Sequence, residues 1–256
     1  MNEDTKDIDR IAHLEARAES GELKAMFDLG LLHDLPGKPD VPLDLERARH
    51  WYTKAAELGH AWAQFALGNM NERAEAGARN QLAARRWYEA AAHQGINEAQ
   101  FHLGRMLQSG QGGPAEPARA AEWFDRAARQ GHEVAATHLA LMHLGREIEQ
   151  PDPQRAFELL EFAADKLHGL AHLVLGDVHL NGLAGRPHGG YALVHYCVAV
   201  QLLPPGPDAE RAERAKEELL ARKPELRDDY ETQAADFIAA RRVPPEATAG
   251  VAPVLH

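Results

Sequence analysis

Small and apolar positions return along this chain at a fixed interval. Leu29-Gly30, Leu67-Gly68, Leu103-Gly104, Leu139-Ala140 and Leu175-Gly176 are spaced 38, 36, 36 and 36 residues apart. Four positions before each Leu stands an Ala: Ala25, Ala63, Ala99, Ala135 and Ala171. A second phrase keeps the same register. Trp51-Tyr52, Trp87-Tyr88 and Trp123-Phe124 each have Ala three residues before and four and five residues after the Trp. Apolar positions at helical spacing, repeated at a period of this size, predict a stack of helix pairs. Gly59, Gly95 and Gly131 mark the end of each second helix, where a left-handed cap is wanted. At the fourth junction Leu167 stands in that register and Gly169 is displaced by two.

The pattern predicts an all-α, right-handed α-α superhelix of about five 36-residue helix pairs over residues 22–203. A half-repeat helix precedes it (1–21), a C-terminal helical cap follows (204–242), and a flexible tail ends the chain (243–256). The turns inside the units carry Gly and Pro, as at 36–39, 110–114 and 182–187. The Gly after each Leu falls mid-helix, where Gly costs about 1 kcal/mol against Ala. Its recurrence predicts a close crossing with the second helix. Trp87 is expected to be wedged between neighbouring pairs.

These phrases, Ala-x-x-x-Leu-Gly and Ala-x-x-Trp-Tyr-x-x-Ala-Ala-x-x-Gly, resemble the Sel-one-like repeat (SLR), a relative of the tetratricopeptide repeat. The likeness covers about residues 7–203. It departs from the pattern in the fourth unit, with Leu159-Leu160, and in the fifth, with His195-Tyr196, where Trp-Tyr is usual. The resemblance implies a protein-binding adaptor or scaffold of bacterial origin. Some bacterial members are immunity proteins that neutralise toxins, so that role is the alternative.

Composition narrows the partner. With 39 acidic and 28 basic residues, the formal charge is −11. Nucleic acid and anionic membrane surfaces need a basic footprint, so neither is expected. A single cysteine, Cys197, excludes an internal disulfide framework. The N-terminal residues are acidic, without an apolar stretch of the kind a secretion signal has, and the cytoplasm is the expected compartment.

Candidate chemistry is sparse. Of fifteen histidines, His33, His143 and His179 share one register position and His60, His132 and His168 another. Shared register points to packing or capping. His168 and His172, four apart, are the one pair spaced to share a metal on a helix, and no third ligand is evident. Ser20 and Ser109 are the only serines, and neither sits in a nucleophile-elbow motif. No phosphate-binding loop occurs. No enzyme activity, cofactor, metal or small-molecule substrate is expected; a hydrolase is the third reading.

Recognition is expected on the first helices, which line the concave side of such arrays. Three and six positions after the repeat Ala the residue type varies while the framework holds. The polar residues there, Asp28, Asn69, His102, Arg105, His138 and Asp177, are the candidate partner-binding set.

Overall fold

In a computed structural model of the chain, residues 3–35, 43–145, 147–183, 185–222 and 224–242 are described. The turn at 36–39 and the tail at 243–256 lie outside them. The described residues form helices and turns with no strand. They divide into two compact units, Met1–His132 and Glu133–His256.

The first unit holds α1 (Glu3–Glu19), α2 (Leu23–Asp34), α3 (Leu45–Glu57), α4 (Ala61–Arg73), α5 (Gln81–His93), α6 (Asn97–Ser109) and α7 (Pro117–Arg129). The second holds α8 (Glu133–Gly145), α9 (Pro153–Asp165), α10 (Gly169–Asn181), α11 (Gly189–Leu202), α12 (Pro207–Leu220) and α13 (Arg227–Arg241). Each helix packs on the next within the first unit. In the second, α8 packs on α9 and α10 on α11, while α12 and α13 both pack on α11.

Sequence sets the helix ends. Side chains of Asp44, Asn80 and Asp152 accept the backbone N–H three residues on, so α3, α5 and α9 start where an orphan donor is satisfied. Helix α7 starts with Pro117, whose missing N–H costs nothing in the first turn. Gly131 ends the same helix at φ +95° with no atom within 4 Å of where a Cβ would be. At the fourth junction Leu167 takes the left-handed conformation itself, at φ +61°.

The core is made of the repeat phrases. The repeat Ala residues and the residue after each Trp, Tyr52, Tyr88 and Phe124, are fully buried. Trp51 and Trp123 are 9% and 4% exposed. Trp87 departs from the expectation of a wedged core residue: it is only half-buried, packed against the edge of the first unit's core.

Candidate interaction surface

The mid-helix glycines position the site. A Cβ on Gly68 would stand 2.5 Å from Tyr88 Cδ1, and one on Gly104 would stand 2.7 Å from Phe124 Cε1. Gly30 and Gly176 face Tyr52 and Tyr196 in the same way. In the fourth pair the residues in these registers are Ala140 and Leu160. The aromatic ring thus lies flat on the first helix, which directs its hydroxyl to that helix's polar side chains. Tyr52 donates to Asp34 Oδ2 at 3.1 Å and Tyr196 to Asp177 Oδ1 at 2.9 Å. Tyr88 reaches both Asn69 Oδ1 and Glu72 Oε2 at 2.8 Å. It has one proton, and the carboxylate is the stronger acceptor. Burial first, then the neighbouring carboxylate, pushes Tyr52, Tyr88 and Tyr196 far above the ordinary phenol range.

Glu72 is the hub of a charged cluster in the first unit. Its side chain is 12% exposed and is paired with Arg105 Nη2. His102 Nδ1 lies 3.5 Å from Glu72 Oε2 and 3.4 Å from Arg105 Nη2, and the His102 ring stacks on Tyr88 at 4.9 Å. Contacts with His102, Arg105 and the Tyr88 hydroxyl hold the Glu72 carboxyl far below the usual carboxylate range.

The six candidate residues therefore have different standing. Asn69, His102 and Arg105 come together around Glu72. Asp28, on α2, pairs with Lys24 at 2.6 Å. In the second unit, Asp177 is bound to Tyr196 and ion-paired with Arg211 of α12. His138 is half-buried on α8. All six are half-buried rather than open to solvent. Sequence reasoning missed Glu72 and Asp34, nine positions after the repeat Ala. The signal was available: a carboxylate stands six or nine positions after the repeat Ala wherever the facing aromatic is Tyr, and Phe124 and Leu160 carry no hydroxyl to satisfy.

Two of the histidines that share a register have capping or packing contacts. His60 caps α4 and stacks on Phe27 at 4.5 Å, and His132 packs on Phe101 at 4.7 Å. His168 and His172 do not converge on a shared ion. His168 Nδ1 meets Thr137 Oγ1 at 2.8 Å, while His172 meets His195 Nδ1 at 2.9 Å and the Ala164 carbonyl at 3.2 Å. Among the described residues, no group of three or more His, Cys, Asp or Glu could hold a metal ion. Ser20 and Ser109 each donate to a carbonyl of their own segment, Arg17 O at 2.7 Å and Arg105 O at 2.9 Å. Cys197 is buried, which pushes its thiol up to about 11 and keeps it protonated. Among the described residues, no helix is long and apolar enough to cross a membrane.

These features define an all-α protein of repeated helix pairs, four of them closed by an aromatic ring on a glycine and the fourth in order by Leu160 in register with Ala140. The Sel1 repeat model matches residues 23–60, 63–96, 97–132 and 134–166, more than half of the chain, so the chain belongs to the Sel1 repeat family. The fifth pair, α10 with α11, lies beyond those matches. No curated protein matches. A Sel1 repeat protein from Oxalobacter formigenes is 26% identical with a TM-score of 0.70, over 83% of this chain and 93% of that one. A protective antigen of uropathogenic Escherichia coli with an SLR fold is 24% identical at the same TM-score. That match takes in 88% of this chain and 48% of the other, so the chain spans about half of that protein's length. An immunity protein from Pseudomonas aeruginosa is 17% identical with a TM-score of 0.43, over 91% of this chain and 89% of that one, too distant to speak of this chain's role.

Proposed function

We infer that this chain is a protein-binding adaptor or scaffold, not an enzyme, and that its partner docks on the first helices of the repeats. The observation that supports this reading is the Glu72–Arg105–His102 cluster. A nearly buried carboxylate holds a cation and an imidazole that stay about a third and a quarter exposed. Held side chains lose little freedom on binding, which favours affinity. Arginine is enriched at interface hot spots. The chain's charge of −11 favours a partner with a basic rim and disfavours nucleic acid. Asp28 and Asn69 extend the proposed surface within the first unit; His138 and Asp177 are the candidates in the second, where Asp177 acts mainly by holding Tyr196.

The test is affinity capture from native lysate with quantitative mass spectrometry. His102→Gln with Arg105→Gln should lose the partner. Glu57→Ala with Glu122→Ala, exposed positions on α3 and α7, should retain it. Loss in the second pair and retention in the first would put the partner elsewhere. An immunity role would make that partner a toxin, silenced on binding. A scaffold would leave the partner active and recruit a second protein.

A further inference from the structure

In the first unit the repeat Trp is covered by a cation from its own helix, three residues on. Lys54 Nζ lies 4.6 Å from the Trp51 ring centre, and Arg126 lies 4.4 Å from that of Trp123. Both indoles are buried. In the middle repeat the residue three beyond Trp87 is Ala90. There the indole is only half-buried and opens on a hollow of ≈ 340 Å³ lined by Asn80, Leu82, Ala83, Arg86, Trp87 and Ala90. Leu82 at its edge is 52% exposed.

We propose that this hollow receives a lysine or arginine side chain of a partner protein, which takes over Trp87 the place that Lys54 and Arg126 take over the sibling rings. Three facts fix the occupant. The ring face attracts cations, Trp most strongly. The two sibling sites on the same fold are filled by long cationic side chains, so the local geometry suits an aliphatic stem ending in charge. The chain's net charge of −11 draws basic partners. Arg86 is the opposing influence. It is exposed, so solvent and salt screen it. This site is on the second helix α5, and it stands or falls independently of the cluster at Glu72.

The test uses 15N-labelled protein, in which Trp51, Trp62, Trp87 and Trp123 give separate indole signals. The probes are three blocked pentapeptides differing only at the centre: lysine, its uncharged isostere norleucine, or glutamate. The lysine peptide should shift the Trp87 indole selectively and bind about two- to fivefold more tightly than the norleucine peptide, as one exposed cation–π contact allows. Trp62, which is 41% exposed, is the internal control and should not respond. In Ala90→Lys the new side chain should cover the ring, and the Trp87 response should disappear. Equal response to norleucine would make the hollow merely apolar. Stronger response to glutamate would make Arg86 the recognising group. Either result overturns the proposal, as does an unchanged response in Ala90→Lys.

Discussion

Tyr88 lies on Gly68 so closely that a single methyl group there would stand 2.5 Å from its ring. The intrinsic helix preference for Ala is therefore opposed by a clash in a fully packed interior. Overpacking of this kind costs about 1–3 kcal/mol, against a gain of up to about 1 from propensity. Gly68→Ala and Gly104→Ala should each lower stability by chemical denaturation. The fourth repeat shows the compensation, with Ala140 in register with the glycines and Leu160 with the rings. Gly104→Ala combined with Phe124→Leu should accordingly cost less than the sum of the two single changes. Strict additivity would mean that the two positions do not share the crossing.

Neighbours in sequence carry unequal weight at Trp87 and Tyr88. Tyr88 is fully buried and hydrogen-bonded, and Tyr88→Ala should cost about 3–5 kcal/mol. Trp87 is half-buried beside the hollow, and Trp87→Ala should cost less than Tyr88→Ala, since part of its area is already in water. Equilibrium unfolding of both variants checks this. A larger loss at Trp87 would reverse the assignment.

Period and register carried the fold. The spacing of Leu-Gly and of Trp-Tyr or Trp-Phe located the helices of the first three repeats, and the register alone carried the pattern to α9 and α11, where Leu159-Leu160 and His195-Tyr196 replace the aromatic pair. The sequence predicted a wedged Trp87 wrongly, because the cation that covers an indole comes from a position whose residue type changes between repeats. The candidate site was legible in part. Asn69, His102 and Arg105 do lie together, but Glu72, which organises them, is marked only by its register, nine positions after Ala63 with Tyr88 in the facing helix. Its role depends on Tyr88, sixteen residues away, and on Arg105, thirty-three residues away.

Acid should weaken the first unit through Glu72. The folded protein holds this carboxyl below its ordinary value, by contacts with His102, Arg105 and Tyr88. A group whose pKa is depressed by folding contributes stability that is full above the unfolded value, near 4.3 for Glu, and is lost as pH falls further. Stability of the wild type should therefore drop between about pH 5 and pH 3. In Glu72→Gln that drop should be smaller, and stability at neutral pH lower, because Arg105 loses its charged partner. Denaturation curves at a series of pH values, compared between the two proteins, decide it. Parallel curves would show that Glu72 is not held as described.

A second pH response belongs to the fifth repeat and lies nearer neutrality. Gln64 and Gln100, one residue after the repeat Ala, each donate to a carbonyl of the preceding helix, Ala56 O at 3.1 Å and Ala92 O at 3.2 Å. His172 takes the same position and bonds Ala164 O through Nε2. Its Nε2 must then carry the proton, so its Nδ1 accepts the Nδ1–H of His195. A second proton on His172 would require His195 to give up its Nδ1 proton and accept at that nitrogen instead. Burial first, then nearby cationic groups, lowers His172 to about 4 and His195 to about 3. The charged and titratable groups around His172 are Asp165 of α9, His168 at the start of α10, His195 of α11 and Arg241 of α13, while His179 of α10 stacks on His195. Arg241 pairs with Asp165 at 2.8 Å, so the carboxylate does little to favour a charged His172. Because folding lowers these values, the unfolded chain binds protons first, from about pH 6.5 downward. The second unit should lose stability progressively from about pH 6.5 to about pH 4, by an amount on the order of a few kcal/mol. His172→Gln restores the residue of the second and third repeats, whose amide can serve both Ala164 O and His195 without titrating. It should keep the fold at pH 7.5 and flatten the fall in melting temperature between pH 7 and pH 5. If the variant loses stability over that interval as steeply as the wild type, His172 is not the source of the acid sensitivity.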